Sequence, residues 1–544
     1  MKDFIRFCQT IRYLKLKQIY FRFYYFFKKP FKNNISINIQ HHKKLKLKKT
    51  IYKENSYVGD SKFFFLNEYS ETDSKIWCQN EKSMLWQYNL HYFDFINSKD
   101  SSERSDKILK LMHSWVNEVS IFDSVGWQPY PSSLRIVNWI KWILKNDIDD
   151  KIILSSLAEQ IQNVETNVEY HIMGNHLFAN AKALLFGGIF FGGKRGEAWY
   201  QLGFKIFIEE LDEQFLKDNG HFELSPMYHS IIIEDLLDVL NLAISAKKND
   251  LEKVIFLKIN GILNWLETML HPDGNISLFN DSAFKGAAPF SALIEYAERL
   301  GVKYEKRKKI SKLLVHSGYT RLENKDAVLF FDHGAVGPSY QPGHAHADTL
   351  SIELSLFDCR VITNLGISTY DRNVMRSLQR STKSHSTLVV DNRNSSDVWA
   401  SFRVGRRATT QETTFKSTKN FLSVCSEHNG YRNILSGVTH RRDLLLNKKS
   451  LIIKDDVYGF GKHSIEIYFH IYPGIIITKK SEFLYELQLN HSKKIISIKM
   501  GANDSEIVKT SFCLGFGKTT ETLSLKLYDT INKKKQFVTT ISWE

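Results

Sequence analysis

The sequence predicts an α+β multidomain protein, a helical domain followed by an antiparallel β domain. Leu177–Phe191, Ser230–Lys247 and Leu251–Leu270 carry apolar residues three to four apart, the spacing that gathers them on one helix face. From about residue 311 the texture changes to alternation and short β-rich runs: Ala327–Phe331, Leu350–Leu356, Leu451–Lys454, Ile465–Ile471, Ile495–Ile498 and Phe537–Ile541. Helices followed by strands, rather than interleaved with them, segregate into separate domains. A chain of 544 residues is long enough for two or three cores.

The first element, residues 1–79, reads as a basic aromatic arm. Residues 1–50 hold 14 Lys/Arg and one acid, Asp3, so they supply +13 of the net +15 and the rest of the chain is nearly neutral. A local basic groove, not the overall charge, must therefore attract any acidic polymer. Aromatics interleave the arm's charges: Phe4, Phe7, Tyr13, Tyr20, Phe21, the unbroken run 23–27, and Phe31. Two readings fit, an arm packed on the body by its aromatics or a segment lying on an anionic membrane surface. No nucleic-acid motif accompanies the charge, so nucleic acid is not an expected partner. The arm lacks the apolar core of about 7–15 residues and the small-residue cleavage site of a secretory signal. No apolar run of about 20 residues is present to span a bilayer. These features predict a cytoplasmic protein, peripheral at the inner membrane, with a periplasmic location as the alternative.

Residues 80–310 form the expected helical domain, with Asn175 and Ser225-Pro226 as helix-start punctuation. Residues 311–544 form the expected β domain. The composition, 43% hydrophobic and 24% charged, is that of a soluble globular chain. The five cysteines, Cys8, Cys78, Cys359, Cys425 and Cys513, include no CxxC pair, which argues against a disulfide framework and a thiolate zinc site. No fixed short repeat marks a solenoid or propeller.

The densest chemistry lies in Gln341-Pro-Gly-His-Ala-His-Ala-Asp348. The residues that follow, 349–356, alternate as a half-buried strand would. In a strand, residues i and i+2 share a side. His344 and His346 would then stand side by side at the strand's start, as a proton-transfer group beside a metal ligand, or as two ligands.

Five further segments occur with this one in a single order. They are Trp86-Gln-Tyr-Asn-Leu-His-Tyr-Phe-Asp94, Trp127-Gln-Pro-Tyr-Pro-Ser-Ser-Leu-Arg-Ile-Val-Asn-Trp139, Gly174-Asn-His-Leu177, Gly220-His-Phe-Glu-Leu-Ser-Pro-Met-Tyr-His229 and Ser384-His-Ser-Thr-Leu-Val-Val-Asp391. Across about residues 80 to 410, the set resembles the heparinase II/III-like polysaccharide lyases, including relatives called alginate lyases. The resemblance implies an incomplete (α/α) toroid followed by a β-sandwich. It implies β-elimination on an acidic, uronic-acid-containing polysaccharide held between them, in surface-polysaccharide metabolism. The alternative is a non-catalytic glycan-binding or hydrolytic relative acting in capsule or O-antigen assembly. A hydrolase needs two carboxylates at one site, and Glu223, Asp281 and Asp348 form no recognisable pair in the sequence.

β-Elimination removes the weakly acidic C5 proton, neutralises the adjacent carboxylate and protonates the leaving O4. That takes a base, a donor to the carboxyl and an acid, and His, Asn and Tyr are groups of these kinds. By resemblance, Asn175 matches the carboxylate-neutralising asparagine, Tyr228 the catalytic tyrosine and His344 the catalytic histidine. Read alone, Asn175 suits a helix N-cap and Tyr228 a core aromatic. His346 and His385 resemble ligands of a divalent metal such as zinc, found in parts of the family, whose third ligand is usually an aspartate at the end of the following strand. Here that position is Asn364, returned toward His346 by a hairpin around Phe357–Arg360, and a neutral amide predicts weakened metal binding. Asp348 is the substitute, expected to lie too far along the strand from His385. Trp86, Tyr88, His91 and Trp127 are candidates to stack on sugar rings. Arg135, three residues from Asn138 on a helix, is a candidate to line the groove. Glu223 and Asn280-Asp281 are candidates to orient the site. Arg376 and Arg380 either meet an acidic sugar or solvate the surface.

Overall fold

The computed structural model describes residues 2–28, 45–59, 62–70, 76–121, 125–305, 311–435, 437–489, 494–501 and 504–544. Phe31, with the rest of 29–44, and residues 306–310 at the expected domain junction lie outside them.

Two helices come first, α1 (Lys2–Ile11) and α2 (Leu16–Phe27), and a small three-stranded sheet spans Tyr57–Tyr69. The expected arm of residues 1–79 is therefore not one tail. Leu45, Phe63, Phe65 and Trp77 are buried in the core of the helices that follow.

Those helices are α3 (Met84–Tyr92), α4 (Ser105–Glu118), α5 (Pro129–Asn146), α6 (Lys151–Thr166), α7 (Gly174–Phe191), α8 (Gly193–Glu213), α9 (Pro226–Ala246), α10 (Asn249–Thr268) and α11 (Phe290–Arg299). The odd-numbered helices α3, α5, α7, α9 and α11 pack against one another in chain order, and α6, α8 and α10 pack on them. Burial separates the two layers. Every residue of α7 except His176 is buried. By contrast, α8 buries a single stripe, Trp199, Gly203, Ile206, Phe207 and Glu210, as an outer helix does. This is the double-layered helical arc of an (α/α) toroid.

A buried ionic cluster stitches the inner layer. Lys141 of α5 and Lys182 of α7 both reach Asp238 of α9 at 2.5 Å. Lys182 also reaches Asp235 at 2.7 Å, and the Tyr296 hydroxyl of α11 donates to Asp238 at 3.1 Å. Burial alone would push Asp238 up, but the two lysines hold it well below the usual carboxylate range.

The β domain contains a 15-stranded antiparallel sheet among the described residues. Its longest strands, Ser450–Ile471 and Lys518–Trp543, pair with each other along most of their length, with one irregularity between Tyr458 and Lys462. The runs Leu451–Lys454 and Ile465–Ile471 are thus one strand. The polar Lys462, His463 and Ser464 between them keep their place in the ladder. Leu329, Leu354 and Val361 share one core with Ile498, Leu525 and Ile541, so distant parts of the sheet face each other as in a β-sandwich.

The strand Ile352–Leu356 was expected to be half-buried, and it is buried on both faces. Ile352, Leu354 and Leu356 enter the sandwich core. On the other face His271 bonds Glu353 at 2.8 Å and Ser355 at 2.6 Å. The sheet is clamped there to the segment that leads from the helical domain toward Asp281.

Candidate active site

The three catalytic candidates come from both domains. Asn175 is the second residue of α7, entered through Met173 (φ 68°) and Gly174 (φ 61°). A Cβ on Gly174 would lie 2.6 Å from Glu223 Oε1, so both the backbone and the space require glycine. Asn175 is not the N-cap, which is Met173. Its side chain is buried near the Tyr130 hydroxyl, and among the described residues its Oδ1 has no partner. Tyr228 stands in the first turn of α9, where Ser225 Oγ accepts from its N–H at 3.2 Å. Its hydroxyl meets Tyr370 Oη at 3.1 Å. Its ring stacks on His344 with centroids 3.8 Å apart. Glu223 bridges the gap: Oε1 accepts from Asn175 N–H at 3.3 Å, and Oε2 lies 3.9 Å from His344 Nε2.

Asp281 organises the histidines. His344 and His346 lie in a turn ahead of the strand, which begins at Ile352, so the expected strand spacing does not align them. The shared carboxylate does. His344 Nδ1 lies 2.8 Å from one Asp281 oxygen and His346 Nε2 lies 2.8 Å from the other. Arg376 donates to both oxygens. Burial would raise the Asp281 carboxyl, yet Arg376 and the imidazole hydrogen bonds hold it well below the usual range. An ionised Asp281 accepts Nδ1–H from His344, which leaves Nε2 with its lone pair facing Glu223 and the cleft.

The same tautomer logic tests a metal site. With Nε2–H given to Asp281, His346 Nδ1 is a lone pair. His385 donates Nδ1–H to Ser381 O at 2.8 Å, so its Nε2 is also a lone pair. The two face each other at 3.1 Å, an arrangement that needs a proton or a cation between them. The ligand atoms of His346, His385 and Asp348, all buried, lie within 4.8 Å of one another. This donor set fits a divalent cation. Asn364 does not belong to it: its Oδ1 accepts from Ser386 N–H at 3.1 Å. The chain turns after His346 instead of extending, which brings Asp348 close to His385 against expectation.

Comparison with known proteins agrees with this architecture along its whole length. The heparinase II/III N-terminus pattern matches residues 9–300, and the heparinase II/III-like C-terminal pattern matches residues 306–544. The chain belongs to the heparinase II/III family. The heparin-sulfate lyase of Pedobacter heparinus is 26% identical over 347 residues, 58% of this chain and 49% of that one. That of Bacteroides stercoris is 22% identical over 349 residues, 60% and 50%. The chain thus spans about half the length of these two curated relatives. The crystal structure of heparinase III matches with a TM-score of 0.69 at 17% identity, covering 97% of this chain and 89% of that one. Heparan sulfate lyase HepC from Pedobacter heparinus matches with 0.59 at 18%, covering 88% and 79%. These likenesses show the shared toroid and sandwich.

Several expected groove residues of this heparinase II/III chain are structural instead. Trp86 is fully buried, its indole donating to Glu68 O at 3.1 Å, so it has no free face for a sugar. His91 is buried and accepts from the Trp115 indole at 3.1 Å. Arg135, also fully buried, bonds Gln160, His91 O and Ser132 and lies over the Trp115 ring. Trp127 packs against Trp115 and donates to Val119 O. Tyr88 keeps a place near the site, half-buried beside Tyr92 and Tyr130. Arg376 and Arg380 are interior, not solvating: the first holds Asp281, and the second donates to Ala345 O at 2.9 Å and so braces the His-Ala-His turn. Tyr130 and Tyr370 escaped the sequence reading. Both are ordinary aromatics in sequence, and only the fold carries them to Asn175 and Tyr228.

Proposed function

We propose that this protein is a polysaccharide lyase that cleaves a uronic-acid-containing glycan by β-elimination. The observation that carries this reading is the convergence of Asn175, Tyr228 and His344 on one cleft, with the Tyr228 ring stacked 3.8 Å over His344. His344, oriented through Nδ1 by Asp281, offers Nε2 to take the C5 proton. Burial, then Tyr370, Tyr130 and Asp281, raise the Tyr228 hydroxyl well above its ordinary value. It therefore enters the reaction protonated and gives its proton to the leaving O4. The Asn175 amide neutralises the substrate carboxylate. The family relatives are named for heparin sulfate, which points to a glycosaminoglycan-like acidic polymer as the substrate class. A hydrolytic reading lacks support here. It needs two free carboxylates across the bond, and both oxygens of Asp281 are occupied by Arg376 and the two histidines.

We also propose a divalent cation on His346, His385 and Asp348. When bound, it supplies a cross-link between the 344–348 turn and the segment around 385, which steadies the backbone that carries His344. The deciding experiment is product analysis on uronic-acid polymers. A 4,5-unsaturated, ultraviolet-absorbing sugar at the new non-reducing end is expected. New reducing ends without that chromophore would mean hydrolysis and would sink the assignment.

A further inference from the structure

The helices α1 and α2 use only one side to hold the body. On α2, Gln18, Phe21 and Tyr25 face inward, as does Lys28 just past its end. Gln18 Nε2 donates to Ile172 O and Tyr340 O, the Phe21 ring lies 4.7 Å from Tyr170, and the Tyr25 hydroxyl donates to Val168 O. On α1, Arg6 grips Asp397, and Thr10 bonds Val404 O and the Trp399 indole. The opposite sides are apolar and open. Leu16, Tyr20, Phe23 and Phe27, a helical stripe, are 84%, 62%, 64% and 75% exposed, and α1 exposes Phe4, Phe7 and Ile11 at the same helical spacing. A soluble surface rarely leaves such clusters of large apolar side chains uncovered.

We infer that this face is a docking surface for an anionic membrane, on which the protein lies peripherally. Charge selects the occupant. Residues 2–28 carry seven Lys/Arg and one acid. Arg12, Lys17 and Arg22 flank the apolar stripes, and among the described residues no carboxylate pairs with them; Arg12 meets the Tyr13 hydroxyl and Lys17 the Tyr170 ring. Exposed phenyl rings with flanking cations and tyrosines are what an acidic lipid surface recognises. A second copy fits less well, since a two-fold interface would set like charges against each other. No described helix is long and apolar enough to cross a bilayer, so the contact is interfacial. It also has a direction. α1 rests on the β domain and α2 on the chain just before Asn175 and His344, so the two helices that would touch the membrane are seated on the segments that lead into the site.

The test is co-sedimentation of the full chain with vesicles of phosphatidylcholine containing about one third phosphatidylglycerol, against pure phosphatidylcholine. Binding to the acidic vesicles is expected, weaker at high salt and on neutral vesicles. The pair Phe23→Ser with Phe27→Ser should weaken it by about tenfold or more, since two phenyl rings leave the interface. Arg12→Gln with Lys17→Gln should weaken it on acidic vesicles only. Thermal melts establish that these variants fold, and Phe4→Ser with Phe7→Ser provides a second apolar pair on the other helix. Equal binding to both vesicles, or no effect of any pair in a folded protein, would overturn the inference. So would a dimer that the Phe pairs dissolve, or capture of soluble heparin by this face with vesicles ignored.

Discussion

Replacing Tyr228 by Phe removes one oxygen and keeps the ring that stacks on His344. The lost contact is a neutral hydrogen bond to Tyr370 Oη at 3.1 Å, worth about 1 kcal/mol net. The ring contact at 3.8 Å survives, so stability should fall by about 1 kcal/mol at most. Activity should fall far more. Losing a positioned general acid costs about 10²- to 10⁴-fold in rate, equivalent to about 3–5 kcal/mol of barrier. Tyr370→Phe is the matched control. It deletes the same hydrogen bond from the other end and leaves the proton donor in place, so it should match Tyr228→Phe in stability and keep much more activity. Urea unfolding and the ultraviolet absorbance of the unsaturated product measure the two effects. If both variants lose activity equally, or if Tyr228→Phe stays within about threefold of the parent rate, the hydroxyl is not the acid.

For the metal, elemental analysis of the purified protein should find a divalent cation that Asp348→Asn removes. Asn364→Asp should leave the content unchanged, because that side chain is turned to Ser386; the reverse pattern would return the third ligand to Asn364. For pH, Asp455 is buried, but Arg442 and His440 hold its carboxyl down at about 2. A depressed folded value means stability that is present above the ordinary carboxylate range and lost as pH falls from about 4 to about 2, amounting to about 2 kcal/mol. Urea unfolding across that range should show the loss, and Asp455→Asn should flatten it; an equally steep loss in the variant would remove Asp455 as its source.

The helix-then-strand order was legible because α7 and α9 carry dense apolar patterns and because alternation begins after residue 311. The candidate trio Asn175, Tyr228 and His344 was picked out by the resemblance of its short motifs, and the structure supplies local reasons for two of them: Gly174 precedes Asn175 where a Cβ would clash, and Ser225-Pro226 starts the helix that presents Tyr228. The hairpin was legible too. Its strands, Ile352–Leu356 and Cys359–Thr363, turn at Phe357 and Asp358. What failed was whatever depends on contacts distant in sequence. Alternation in 352–356 marked two different buried partners, not a wet and a dry face. Arg135 looked like a groove cation, but its guanidinium is consumed by carbonyls and amides of neighbouring helices. Asp348 was set aside on an extended-strand spacing that the turn after His346 abolishes.

The ionic cluster at the toroid's inner layer bears on how the chain assembles. Lys141 and Lys182 converge on Asp238 from different helices. A partial arc with α5 and α7 packed and α9 still absent would bury two cations without a counter-charge. Stranding a buried charge costs about 3–5 kcal/mol, a large share of a domain's typical margin of about 5–15 kcal/mol. Half-built rings are therefore disfavoured against both the open chain and the finished arc. The toroid should gain and lose its helices together, in one cooperative transition instead of peeling away helix by helix.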